Sequence, residues 1–173
     1  MILTRDVILD EIKKGRIVIE PFNEENLGPV SYDLTLGRVI RIFREDVYDI
    51  DLAEVNENPN IIRKYTKRKV VDKFYPLKPG ELVLGITEEI IRLPNDIAGL
   101  LIGRSRFARM GLMIYVSANL VQPGVNNRQI FEIYNASRQV IKLYPGLKIG
   151  QIIFIRCEGK SEYSGIWKNQ LEI

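Results

Sequence analysis

From Gly15 onward the apolar residues recur at every second position, in runs too short for helices. Ile17 and Ile19 alternate with Arg16, Val18 and Glu20, and Tyr32, Leu34 and Leu36 alternate with Ser31, Asp33 and Thr35. A period of two sends successive side chains to opposite faces of an extended strand, so each run has one face to bury. Further runs cover Val39 to Phe43, Glu81 to Ile86, Glu89 to Leu93, Ala98 to Ile102, Leu112 to Val116, Ile130 to Tyr134, Val140 to Leu143 and Ile149 to Ile155. They are rich in β-branched and aromatic residues and bounded by Gly, Pro and Asn. One helix is expected, capped by Thr4 and running through Lys14, with Val7, Ile8 and Ile12 on one face and Gly15 as its stop. Many short strands without long helices between them predict an all-β domain, a jelly roll, sandwich or barrel, with a short N-terminal helix.

Two segments echo each other. Leu77-Lys78-Pro79-Gly80 leads into Leu82-Val83-Leu84, and Leu143-Tyr144-Pro145-Gly146 leads into Leu147-Lys148-Ile149. Each reads as a tight turn entering a buried strand; two similar halves, or one turn chemistry used twice, account for it equally. Asp46 to Asn60 is acidic and Asn-rich and predicts a long surface loop. At 173 residues the chain is read as one domain, 1–173.

Composition removes several functions. The sequence has no histidine and one cysteine, Cys157, so neither an intrachain disulfide nor a His/Cys zinc cage can form. Zinc-dependent deamination of the common kind and Ser-His-Asp or Cys-His catalysis are excluded on the same ground. Proton transfer near neutral pH falls to a carboxylate, Lys, Tyr or water. No apolar run reaches the roughly 18–20 residues of a membrane span, and Arg5, Asp6, Asp10 and Glu11 interrupt any signal-peptide core. A cytoplasmic protein is expected. The net charge of +3 is too mild to argue for nucleic acid, and the cluster Arg63, Lys64, Lys67, Arg68, Lys69 and Lys73 reads as a solvated face.

The stretch from Gly103 to Asn135 carries the chemistry. Arg104, Arg106 and Arg109 fall within six residues and are followed by Gly111. Such a cluster suits phosphate, and R-S-x-x-A-R can also start a short helix whose N-terminus attracts anions. Beyond the Pro123-Gly124 turn, one carboxylate, Glu132, stands in the apolar run between Phe131 and Ile133. Alternation puts Ile130, Glu132 and Tyr134 on one face; the strand alone leaves open whether that face is solvent, a subunit interface or a site.

These residues resemble the dCTP deaminase family of the deoxyuridine triphosphatase superfamily. The resemblance lies in Gly103-Arg104-Ser105-Arg106-Phe107-Ala108-Arg109, Ser117-Ala118, Gln122-Pro123-Gly124 and Phe131-Glu132-Ile133-Tyr134-Asn135. It extends through Ile2-Leu3-Thr4-Arg5-Asp6, Pro21-Phe22, Ser31 to Gly37, Leu93 to Ile97 and Pro145 to Gln151, in order along nearly the whole chain. It implies a distorted jelly roll of the dUTPase-like kind, assembled as a homotrimer with shared sites. It implies conversion of dCTP to dUTP and ammonia, supplying dUTP and dUMP for thymidylate synthesis, with dUTP and dTTP as further candidate ligands. Magnesium would arrive on the substrate triphosphate, with no zinc and no protein metal cage. Glu132 would act as general base and then general acid, while Ser105 and the Ala118 carbonyl hold the water and Arg109 stabilises charge at the reacting centre. Substrate contacts would come from Arg104, Ser105, Arg106, Phe107, Ala108, Arg109, Gln122, Ile130, Phe131, Glu132, Tyr163 and Gln170.

Departures sharpen the alternatives. Gln122 stands where the family has Asp; an amide still bonds a sugar hydroxyl but cannot serve as a base. That weighs against a bifunctional dCTP deaminase/dUTP diphosphatase. Val125 and Asn127 replace an aromatic residue and a Gly, and Ile166 replaces a tail lysine for which Lys160 or Lys168 could substitute. A non-catalytic nucleotide-binding paralogue is the remaining alternative.

Overall fold

A computed structural model describes residues 1–58 and 60–173. The helices are α1 (Arg5–Lys13), α2 (Leu52–Glu57), α3 (Ile62–Tyr65) and α4 (Ser105–Ala108). The strands are β1 (Val18–Glu20), β2 (Ser31–Phe43), β3 (Thr66–Val70), β4 (Tyr75–Leu77), β5 (Leu82–Arg92), β6 (Ile97–Gly103), β7 (Leu112–Ile114), β8 (Leu120–Val121), β9 (Asn126–Asn135), β10 (Ile141–Leu143) and β11 (Lys148–Arg156). They form one curled antiparallel sheet in the order β7-β9-β5-β2-β11-β6-β8, with β1 beside β5, β3 beside β2, and a separate β4–β10 pair. The all-β expectation with a short N-terminal helix holds.

β2 makes the sheet fold over on itself. Its first half pairs with β11, from Ser31↔Ile153 to Thr35↔Lys148; its second half pairs with β5 and β3. The crossover falls at Gly37, where a Cβ would lie 2.9 Å from the Ile86 carbonyl oxygen, so a side chain has no room there. The alternation around Tyr32 and the run Val39 to Phe43 are thus one continuous strand, because Gly37 lets the backbone pass β5 without a turn. Glu81 to Ile86 and Glu89 to Leu93 fuse likewise into β5, which carries an irregularity between Ile86 and Ile90 instead of a loop.

The two halves close face to face. Tyr32, Leu34, Ile152 and Phe154 of one half meet Val83, Ile91, Phe131 and Ile133 of the other, and all are completely buried. Each such side chain contributes about 1.5–3 kcal/mol relative to exposure. The layers press closely together at Gly150 of β11, where an added Cβ would sit 2.6 Å from Phe131 and 3.2 Å from Tyr115.

α1 starts after Thr4 as expected, but the Thr4 hydroxyl bonds the Asp6 carboxylate, not a backbone N–H. Gly15 ends the helix with φ 67°. Glu11, which periodicity leaves out of the apolar face, is buried because it accepts from Arg16 Nε and Arg156 Nη2, each at 2.6 Å. Arg16 also donates to both oxygens of Asp96 at 2.8 Å. This clasp ties α1 to the turn before β6 and to the end of β11.

The two echoed Pro-Gly segments follow β4 and β10, which pair with each other through Leu77↔Ile141 and Tyr75↔Leu143. Gly80 and Gly146 adopt φ 75° and 83°, the left-handed conformation that glycine supplies without strain. The segment from Asp46 to Asn60 is more ordered than a surface loop: it holds α2, and Glu54 accepts from Lys64 Nζ at 2.6 Å and Tyr65 Oη at 2.9 Å, docking α2 on α3. Pro59, within that segment, lies outside the described residues. The basic residues Lys67, Arg68 and Lys69 are exposed on β3, a solvated strand face.

Candidate active site

β9 positions the central carboxylate through strict alternation. Asn127, Gln129, Phe131, Ile133 and Asn135 are buried, whereas Arg128, Ile130, Glu132 and Tyr134 are half-buried on the opposite face. Arg128, Ile130 and Glu132 line a cavity of about 700 Å³. Its walls are largely apolar, with Leu84 of β5, Leu101 of β6, and Leu52 and Val55 of α2. Ala118, Gln122, Tyr163 and Gln170 border the same space, so the structure gathers six of the expected site residues here.

Glu132 is held from one side. Its Oε2 accepts from the Ser117 N–H at 2.8 Å and lies 3.4 Å from the Ser117 hydroxyl. Its main-chain oxygen accepts from Tyr115 N–H at 3.0 Å. Tyr115 itself has φ 59°, a left-handed conformation uncommon for a bulky residue, and this reversal ends β7 at Ile114 and swings Ser117 N–H onto the carboxylate. β7 is therefore shorter than the run Leu112 to Val116. Oε1 has no hydrogen-bond partner, and Glu132 forms no ion pair, among the described residues. The carboxylate is thus anchored and still has an oxygen free to exchange a proton.

The arginine segment lies elsewhere. Arg104 follows β6 and precedes α4, pairs with Asp33 at 3.1 Å and donates to the Lys148 carbonyl at 3.1 Å. Ser105, Arg106, Ala108 and Arg109 are exposed on or just after α4, while Phe107 packs against the core. Gly111, at φ 83°, then turns the chain into β7, and its carbonyl accepts from Ala136 N–H at 2.9 Å beyond the end of β9. None of residues 104–109 lines the cavity of its own chain. Phe131 is also not at the cavity face: it is fully buried in the core, its ring centroid 5.1 Å from that of Tyr115. Alternation turns its side chain away from that of Glu132, and although Asn127 and Gln129 on its own face reach the cavity, Phe131 does not line it.

The C-terminal segment docks beside the free edge of β9. Asn126 N–H donates to the Lys168 carbonyl and Arg128 N–H to the Gln170 carbonyl, both at 2.8 Å. Asn127 Nδ2 donates to the Trp167 carbonyl at 2.6 Å, and Tyr163 N–H to the Pro123 carbonyl at 2.9 Å. Tyr163, Trp167 and Gln170 therefore form one wall of the cavity, while Lys168 is engaged with Glu162. Arg128 and the α2–α3 wall line the cavity without having been expected there, and Ser117, expected only as part of the Ser117-Ala118 match, is the residue that holds Glu132. Arg128 was reachable by continuing the alternation from Glu132 and Ile130; the helical wall had no signal, because its apolar residues sit in an acidic, Asn-rich stretch.

Fold and cavity together define a β-rich protein with one anchored carboxylate facing an apolar, ligand-sized space. Over residues 2–157 the chain matches the family described as dCTP deaminase-like, and it belongs to that family. It is 38% identical over 164 residues to a Nocardioides sp. protein named "dCTP deaminase, dUMP-forming", covering 94% of this chain and 84% of that one. A Nanoarchaeum equitans protein of the same name is 36% identical over 167 residues, covering 90% and 84%. The crystal structure of 2'-deoxycytidine 5'-triphosphate deaminase from Agrobacterium tumefaciens superposes with a TM-score of 0.68 at 17% identity, a likeness of fold. It covers 88% of this chain, which spans 47% of that structure.

Proposed function

We propose that this chain deaminates dCTP by hydrolysis, with Glu132 as its proton-transfer group. The observation that carries the reading is the carboxylate's setting: one oxygen is fixed by Ser117 N–H at 2.8 Å, the other has no hydrogen-bond partner among the described residues, and the residue lines a largely apolar cavity of about 700 Å³. Glu132 takes a proton from water as hydroxide bonds to C4 of the cytosine ring, and passes that proton to N3. It then carries the remaining hydroxyl proton to the amino group, ammonia leaves, and the C4 carbonyl forms. A positioned acid–base group contributes roughly 10²–10⁴-fold. Ala118 borders the cavity, and its carbonyl is assigned to hold the water. Gln122 and Ile130 flank the space for sugar and base.

Ser105, Arg106 and Arg109 are assigned to the cavity of a neighbouring copy. Their exposure and their absence from the lining of their own chain's cavity support a shared site, as do the exposed apolar side chains of Met110, Met113, Val116 and Leu120. A homotrimer satisfies this arrangement. Magnesium belongs to the incoming triphosphate, and its chemistry there is charge neutralisation. Among the described residues no group of three His, Cys, Asp or Glu side chains is arranged to hold a metal.

The product is dUTP on this reading, because Gln122 offers no base for a second water. The dUMP-forming names of the relatives favour a second reading in which the triphosphate is also cleaved. Incubation with dCTP and magnesium, followed by chromatography, separates the two. Release of dUTP with ammonia is expected; dUMP with pyrophosphate establishes the second reading, and unchanged dCTP removes both.

A further inference from the structure

Arg128 stands two residues from Ile130 and four from Glu132 on the cavity face of β9. At ~3.3 Å per residue its Cα lies ~13 Å along the strand from that of Glu132, at the other end of the same space. The polar groups beside it on β9 are committed. Gln129 N–H donates to Thr87 Oγ1 at 2.9 Å, Asn127 Nδ2 to the Trp167 carbonyl, and the Arg128 backbone N–H to the Gln170 carbonyl. The guanidinium is the exception. Its Nε is buried without a hydrogen-bond partner, and it forms no ion pair among the described residues.

A buried N–H without an acceptor is costly, and a guanidinium cannot shed its proton to escape that cost. Its rigid fork matches the oxygens of a phosphoryl group. Resting on the proposed deaminase reading, we infer that Arg128 binds a phosphoryl oxygen of the nucleotide whose base lies at Glu132, and so sets the preference for a phosphorylated substrate. The docked C-terminal segment positions Arg128 for this role by bonding its backbone at Gln170, which leaves the side chain as the open donor.

The test combines a binding probe with a comparison of substrates. Titrated with inorganic tripolyphosphate, the wild type should bind, and Arg128→Gln should bind about 10- to 100-fold more weakly. The KM for dCTP should rise by a similar factor, with kcat little altered and kcat/KM for unphosphorylated deoxycytidine unchanged. Arg128→Lys, which keeps the charge without the fork, should fall between the two. Tripolyphosphate binding that is absent, or equal in wild type and Arg128→Gln, overturns the inference; so does equal weakening of dCTP and deoxycytidine. Should the wild type leave dCTP intact yet bind tripolyphosphate through Arg128, the deaminase reading fails and the anion site stands. Unchanged KM for dCTP in an active Arg128→Gln enzyme leaves the reading standing and removes the anion site.

Discussion

The clasp around Glu11 and the cavity around Glu132 use the same kinds of side chain to opposite ends. In the clasp, Glu11 and Asp96 meet Arg16 and Arg156, and both carboxylates are paired. In the cavity, Glu132 has a single anchoring neighbour and Arg128 has a buried Nε without a partner. Charges that satisfy one another hold elements together and have little left for a ligand. Charges left partly open burden the fold and are available for binding and proton transfer. The completeness of pairing, more than the residue types, separates the two regions.

The largest effect that can break this comparison is Glu132→Gln. Turnover of dCTP should fall by roughly 10²–10⁴-fold, while thermal unfolding and ligand binding stay near wild type. Activity equal to wild type would remove Glu132 from the mechanism. The converse change is Glu11→Ala, which strips two guanidinium groups of a buried partner. A cost of about 1–2 kcal/mol, or about 2–8 °C in midpoint, is expected by calorimetry, the modest size reflecting that Arg16 is still 37% exposed. The variant's kcat should be unaffected.

Acid titration sharpens the contrast. Burial pushes the Glu11 carboxyl up, but Arg156 and Arg16 outweigh it and leave the group below its ordinary value of 4.5. Asp96 is likewise lowered from 3.8, chiefly by Arg16. Stability from the clasp is therefore fully present above those unfolded values and is lost as pH falls through the lower folded ones. Glu89 behaves oppositely. Burial raises its carboxyl above 4.5 although Thr35 N–H donates to both of its oxygens, at 3.2 and 2.9 Å. Its folded state keeps the proton longer than the unfolded state, so wild type loses stability as pH rises from about 4.5 through the raised folded value. Urea unfolding across that range should show Glu89→Gln gaining on wild type with rising pH; a constant difference would exclude this role for burial. The smallest effect expected is a gain in dCTP turnover for Gln122→Asp, and a loss would show that the amide is the better partner in this cavity.

Much of this was legible in the sequence. Period-two runs between Gly, Pro and Asn are enough to give strands, and Glu132 is conspicuous as the acid of an apolar strand. Continuity was not legible: β2 and β5 pass through Gly37 and the Ile86–Ile90 irregularity, and local sequence cannot distinguish a bulge from a turn when the partner strand decides. Nor could one chain's sequence show that the arginines around α4 and the carboxylate on β9 face different spaces. Phe131 is a simpler case, because adjacency to Glu132 in a strand turns its side chain to the opposite face, where it is buried in the core.

Gly150 gives the carboxylate an unexpected dependence on the far side of the molecule. Phe131 and Tyr115 press toward that glycine; Glu132 follows Phe131 directly, and the Ser117 N–H that anchors it comes two residues after Tyr115. A single methyl group at position 150 carries no charge and touches no ligand. Yet it would act as a wedge beneath β9, tilting the bearing of the acid and its tether together, so the aim of the chemistry is calibrated by a missing atom in the opposite wall.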